Sequence, residues 1–214
     1  MQTAGASPGG LVIDAGHSPK SQGAMSCTGK PEYFYNSDLA ETILDYLSKH
    51  NLSATLTHKI NQEISLINRT KAASGKILLL SIHHDSVQPQ FITWKNGRPF
   101  STKAEGYSIF LSTKNSHYLQ SLEYARRLGT SLRSKGLKPS KHHAEKIAGE
   151  NRVLIDPELG IYIYDDLVVL KNTDAPAVLF EAAVIVNPKD ELRATSISYK
   201  ILVSEAIAET IISQ

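Results

Sequence analysis

The stretch Leu78-Leu79-Leu80-Ser81-Ile82-His83-His84-Asp85 decides how the chain is read. Ile77 to Ile82 is a continuous apolar run, the pattern of a strand buried on both faces. It ends in three ionisable residues, and in open α/β sheets reactive groups collect where strands end and loops begin. His83 and His84 alternate across the sheet, so only one of them can face a given site, and a supporting place is expected for His84. Two further stretches share this character. Leu11-Val12-Ile13-Asp14 is a short apolar strand stopped by Ala15-Gly16, and His17 follows the glycine, which lets the chain turn sharply. Ala177 to Val186 is the most apolar strand, yet it carries Glu181 in its middle. A buried carboxylate without a partner is costly, so Glu181 calls for a metal or for acid–base work beside one.

Between these strands the hydrophobic period changes to that of helices. In Asn36 to His50, the residues Leu39, Ala40, Ile43, Leu44 and Leu47 fall on one helical face. Helices are also predicted over Gln62 to Ser74, stopped by Gly75, over His117 to Lys135 and over Ser196 to Ile212. Ser53 to His58, Tyr107 to Ser112 and part of Tyr162 to Leu170 read as strands, and Trp94 to Pro99, around Asn96-Gly97, as a hairpin tip. Strands alternating with helices predict an α/β fold with a mostly parallel central sheet flanked by helices. No domain boundary is visible, and one domain is expected over residues 11–214. Residues 139–166 are the least regular and read as an insertion or lid, and residues 1–10 as a disordered or trimmed start.

The balance of 23 basic against 21 acidic residues gives a net charge of +2 and no reason to expect a nucleic-acid partner. The single cysteine, Cys27, excludes an internal disulfide framework and a Cys-rich zinc site. Apolar runs are too short or too interrupted to span a membrane. No signal peptide is visible in the first ten residues, so the chain is either cytoplasmic or trimmed of a leader. No Gly-x-Ser-x-Gly elbow and no phosphate-binding loop occurs.

Two imidazoles and a carboxylate around an open position make a catalytic zinc site. His17, His83 and Glu32, which stands just before a helix, supply those residue types, and Glu181 could move the proton. Each has a plainer reading: strand-end histidines are often surface groups, and a glutamate at the position of Glu32 also favours a helix N-terminus. Asp14 and Asp85 either orient an imidazole from behind or serve turn chemistry. Asn68 and Arg69 read as structural, a salt bridge or a cap. His142-His143-Ala144-Glu145 is either a solvated loop or a lid and substrate contact near the metal.

Taken in order, these motifs resemble the zinc-dependent N-acetylmuramoyl-L-alanine amidases of the Amidase_3 type. Val12-Ile13-Asp14-Ala15-Gly16-His17 looks like the opening strand of that family. Glu32-Tyr33-Phe34-Tyr35-Asn36 followed by Leu39-Ala40 matches its Glu-x-x-x-Asn-x-x-Leu-Ala pattern, and Leu80 to Asp85 its Ser-Ile-His-Ala-Asp strand. Pro176 to Glu181 and Asn187 to Glu191 look like its closing block. The resemblance implies a sheet of about six strands, one Zn²⁺ held by His17, Glu32 and His83, and Glu181 as catalytic carboxylate. It implies hydrolysis of the amide between N-acetylmuramic acid and L-alanine in bacterial peptidoglycan, work outside the cytoplasm in periplasm or cell wall, an activator protein in some relatives, and a monomer by default. Ala15 and Ser18-Pro19 depart from the usual Pro and Gly-Gly, and His84 from a small residue. Residues 139–166 are longer than in simple members and bring His142, His143, Glu145, Glu150 and Arg152, which either inhibit or grip substrate. A zinc carboxypeptidase or other amidohydrolase, and a non-catalytic peptidoglycan-binding module of the same fold, are the competing readings.

Overall fold

The computed structural model describes residues 10–59 and 62–212, so the expectation for residues 1–10 lies, apart from Gly10, outside the described residues. Seven strands build one sheet: β1 (Leu11–Ala15), β2 (Ala54–Leu56), β3 (Leu78–Asp85), β6 (Ser108–Leu111), β7 (Val153–Asp156), β8 (Ile161–Ile163) and β9 (Ala177–Val184). Their order is β2-β1-β3-β9-β6-β8-β7. The pairs β1/β2, β1/β3, β3/β9 and β6/β8 are parallel, while β6/β9 and β7/β8 are antiparallel. The sheet is therefore mostly parallel, as the alternation of strands and helices predicts. A separate hairpin, β4 (Thr93–Lys95) with β5 (Arg98–Phe100), turns through Asn96 and Gly97. Both turn residues have positive φ, which the tight two-residue hairpin loop requires, and Trp94 on its first strand is 61% exposed.

Helices cover the two faces unequally. Three long ones, α1 (Glu32–Lys49), α3 (Tyr118–Ser134) and α6 (Ile197–Ile212), lie on one face. Leu39, Ile43 and Leu47 of α1, Leu128 and Leu132 of α3 and Val203 and Ile207 of α6 pack there against Ile13, Leu80, Ile82 and Phe180. Two short ones, α2 (Leu66–Lys71) and α4 (Val168–Lys171), lie on the other, where Val12, Leu79, Phe110, Tyr162 and Leu179 are buried. This alternation puts Ile82 and Phe180 beneath the long helices. It puts Ser81, His83 and Asp85, with Glu181 of the neighbouring strand, on the thinly covered face.

The elements differ from expectation in their details. The sheet has seven strands instead of about six, because residues 153–156 form an edge strand whose Val153 and Ile155 face solvent and so break the alternation that marks a strand. Residues 139–166 supply β7 and β8 to the sheet, with a 3₁₀ turn at His142–Ala144 between Pro139 and β7. The helix expected over 62–74 shrinks to α2, capped by Ser65, whose Oγ accepts from the Asn68 N–H at 3.3 Å. The helix expected to open at Asn36 starts four residues earlier, at Glu32 after Pro31, a residue that suits a helix start. The last helix is preceded by a separate α5 (Pro188–Ala194), capped by Asn187.

Candidate metal centre

The C-terminal ends of β1 and β3 lie side by side, with Ala15 paired to Ile82. Just past β1, His17 holds φ at +65°, a left-handed conformation that costs a non-glycine residue about 1–2 kcal/mol. Arg69 of α2 fixes it there. Its Nη1 donates to Asp14 Oδ1 (3.0 Å) and Ala15 O (2.7 Å), and its Nη2 donates to His17 O (2.8 Å). Asp14 also accepts from Thr57 Oγ1 and Ser81 Oγ, each at 2.8 Å. Asp14 thus bonds neither His17 nor His83; it holds the arginine that grips the backbone of His17. The salt bridge expected of Arg69 is present, but with the site's own backbone attached to it.

Glu32, the first residue of α1, stands between two imidazoles. His17 Nε2 lies 3.1 Å from Oε2 and His83 Nδ1 lies 3.0 Å from Oε1. The Ala24 N–H donates to Oε2 at 2.9 Å, and Asn36 Nδ2 and the His84 N–H donate to Oε1 at 3.0 and 3.2 Å. Burial would raise the Glu32 pKa, but the hydrogen bonds and charge of His17 and His83 hold it well below the usual carboxylate range. Burial likewise works to lower His17, and Glu32 outweighs it and raises the imidazole above its ordinary value. Two glycines make the approach possible. A Cβ on Gly16 would come within 2.2 Å of the His83 ring, and one on Gly23, at φ +74°, within 2.3 Å of Glu32 Oε2.

His84 points to the opposite face, where its Nδ1 sits 2.8 Å from Asn36 Oδ1. Complete burial lowers its pKa to about 4, so it is held neutral. Asn36 therefore ties Glu32, His84 and the Gly16 carbonyl, to which its Nδ2 donates at 3.0 Å. Sequence reasoning quotes Asn36 as part of a pattern but gives it no task; its signal is the i, i+4 spacing to Glu32 on one helix.

Glu181 pairs in register with His83 across β3/β9. Its Oε2 is shut off from solvent and has no hydrogen-bond partner among the described residues. Burial, then the charges of Asp85 and Glu32, push its pKa well above the carboxylate range. His17, His83 and Glu181 line one cavity of about 410 Å³, which also takes in Phe110, His143 and Arg152.

A second cluster adjoins the same cavity, which Asp85, His143 and Glu150 line. His143 Nε2 and His142 Nε2 stand 2.8 and 3.2 Å from Asp85 Oδ2, and His143 Nδ1 stands 2.8 Å from Glu150 Oε2. Burial alone would lower the His143 pKa, but Asp85 and Glu150 outweigh it and push it up to about 9. Asp85 thus orients imidazoles, but those of residues 142 and 143 instead of His17 or His83. Arg152 lies over the Tyr164 ring at 3.8 Å. Glu145 is not brought to the cavity; it pairs with Lys103 at 3.0 Å. No residue of 139–166 enters the His17–Glu32–His83 group.

In that group one ligand atom from each residue lies within 4.8 Å of the others. Two imidazoles and a carboxylate are the donor set that suits a zinc-class ion, and the free carboxylate of Glu181 close by suits proton transfer beside it.

The family model described as N-acetylmuramoyl-L-alanine amidase matches residues 11–213. The chain is 27% identical over 201 residues to the probable cell wall amidase LytH of Staphylococcus saprophyticus, covering 93% of this chain and 56% of that protein. It is 25% identical over 240 residues to the N-acetylmuramoyl-L-alanine amidase AmiA of Escherichia coli, covering 95% of this chain and 75% of that one. The chain thus spans just over half the length of LytH. The fold is that of the catalytic domain of CwlV, an N-acetylmuramoyl-L-alanine amidase from Bacillus (Paenibacillus) polymyxa var. colistinus, with a TM-score of 0.71 at 23% identity, over 96% of this chain and 97% of that one.

Proposed function

Since the chain belongs to the N-acetylmuramoyl-L-alanine amidase family, we propose that it hydrolyses the amide joining the lactyl group of N-acetylmuramic acid to the L-alanine of the stem peptide in peptidoglycan. His17, Glu32 and His83 hold a zinc ion, and Glu181 moves the proton. The observation that carries this reading is the placement of Glu181: a partnerless, shielded carboxylate oxygen paired in register with His83 and opening on the same cavity as His17.

When bound, the ion supplies Lewis acidity toward the scissile carbonyl and the attacking water. The chain does the rest. Asn36 and the Ala24 N–H hold the Glu32 carboxylate in place, and Arg69 holds the backbone of His17. Glu181 takes a proton from the water as the C–O bond forms and gives it to the leaving nitrogen as the C–N bond breaks. A carboxyl whose surroundings favour the protonated form is suited to that second transfer. Arg152 and the aromatic wall of Phe110 and Tyr164 flank the space for the peptide. The substrate fixes the place of action outside the cytoplasmic membrane, and no helix among the described residues is long and apolar enough to cross one.

The test is mass spectrometry of products released from purified peptidoglycan by the zinc-loaded protein, with Glu181→Gln alongside. Free stem peptides beginning with L-alanine are expected, reduced roughly 10²–10⁴-fold in the variant at unchanged zinc content. Fragments cut at another bond, or no turnover by zinc-loaded protein, overturn the reading.

A further inference from the structure

The Asp85–His142–His143 cluster has features that hydrogen bonding alone does not account for. Asp85 Oδ1 is engaged by the Ser86 N–H at 2.7 Å, leaving Oδ2 for the two imidazoles. A neutral imidazole carries one N–H, yet both nitrogens of His143 face carboxylate oxygens, at 2.8 Å each. A proton on His143, whose pKa Asp85 and Glu150 push up to about 9, meets both contacts but leaves a single positive charge between two carboxylates. Asp85 and Glu150 bring two negative charges into this wall, and no lysine or arginine pairs with either among the described residues. His142 Nε2 is buried, aimed at the same Asp85 oxygen, and outside hydrogen-bonding geometry to it.

The outer atoms are arranged as they are around metal ligands. A ligating histidine almost always gives its other ring nitrogen to a carboxylate, hydroxyl or carbonyl, which fixes ring and tautomer. Here His143 Nδ1 meets Glu150, itself held by Gln88 Nε2 at 3.0 Å, and His142 Nδ1 meets Ser140 Oγ at 2.8 Å. The 3.2 Å from Asp85 Oδ2 to His142 Nε2 matches the edge of about 3.3 Å that bonds near 2.0 Å make around a tetrahedral ion, and the 2.8 Å to His143 Nε2 is the length of a hydrogen bond that the ion would replace.

We infer that Asp85, His142 and His143 form a second site for a divalent transition cation of the zinc class, in the wall of the cavity that holds the His17–Glu32–His83 group. The N₂O donor set selects zinc-class ions over calcium or magnesium, which take oxygen ligands. His83 and Asp85 are two apart on β3, so one strand supplies a ligand to each site. The second ion ties residues 142–143 to the end of β3 and sets a cation beside the space for substrate. This inference does not depend on which bond the protein cleaves.

The deciding experiment is zinc stoichiometry by equilibrium dialysis and elemental analysis of the whole chain. Two ions per chain are expected for the wild type. His142→Ala and the bulkier His142→Gln each retain one, as does His17→Ala, because the first two remove the 85/142/143 site and the third removes the other. Cobalt(II) loading gives an independent readout: His17→Ala keeps the visible absorption of the 85/142/143 site, and His142→Gln keeps that of the other. One ion per wild-type chain, or two ions undiminished in both folded His142 variants, overturns the second site. The wild-type count requires no variant to fold.

Discussion

At the scale of single residues, the site is built from groups that hold other groups. Asn36 is the clearest case, with one amide spanning Glu32, His84 and the carbonyl of Gly16. Replacing it by Ala removes one of the donors that hold the Glu32 carboxylate and leaves the His84 nitrogen without its partner. Asn36→Ala is expected to weaken zinc binding at the His17–Glu32–His83 group roughly 10–100-fold. Competition with a chelating dye measures this, in a His142→Gln background so that only one group is read. Unchanged affinity would show that Asn36 serves packing alone. His17, His83 and Glu181 are legible in the sequence because each is an ionisable residue in or just past an apolar strand, whereas Glu32, a residue any helix start accommodates, is legible only through the Glu-x-x-x-Asn-x-x-Leu-Ala pattern. The roles of Asp14 and Arg69 are not legible in the same way. Arg69 lies some fifty residues from the backbone it grips, and an arginine on a short helix looks like any surface residue until the fold buries it. Glu145 misleads for the opposite reason: sequence adjacency to His143 places it near the cavity, but the 3₁₀ turn sends it to Lys103.

At the scale of elements, the long periodic segments are legible and the short edge pieces are not. The α1 face, Leu39, Ile43 and Leu47, announces itself by spacing, and β3 by its unbroken apolar run. β7 has neither signal, because Val153 and Ile155 point to water and its pairing partner β8 is only three residues long. The consequence concerns how residues 139–166 behave. A segment that only covers the cavity could be removed without loss of folding, but this one pairs β8 to β6 and buries Tyr162 completely. Excision of 139–166 is therefore expected to abolish cooperative unfolding. Replacing Trp94–Arg98 in the β4/β5 hairpin by a short Gly-Ser turn is expected to keep it, since that hairpin pairs with no strand of the main sheet. Thermal melts followed by circular dichroism at 222 nm, run on both variants, check this. A cooperative melt after excision would show that β7 and β8 are dispensable.

At the scale of the whole molecule, the sheet is asymmetric: three long helices seal one face, while the other carries buried charge at the cavity end. Stability of the metal-free protein should follow that charge. His143 is raised to about 9 in the fold against 6.5 unfolded. Its contribution is full below pH 6.5 and is lost as pH rises through about 9. His84 is lowered to about 4 by burial. The unfolded chain therefore binds a proton there that the fold excludes, and stability falls as pH drops from 6.5 toward 4. The two slopes predict a maximum near pH 6–7 in the presence of a chelator. The His143 limb is worth on the order of 3 kcal/mol between pH 6.5 and 9. Denaturant titrations at pH 4.5, 6.5 and 9.5 test it, and His143→Asn should flatten the alkaline side; equal stability at 6.5 and 9.5 in the wild type would refute it. How such unfolding is watched matters, because the chain's one tryptophan, Trp94, is on the exposed hairpin. Its indole already emits from water in the native state, so its fluorescence stays nearly constant while the core melts, and an emission curve alone would report a protein that never unfolds. The same position makes Trp94 a built-in optical probe: any large polymer laid across the hairpin shifts its emission to the blue without a label being attached.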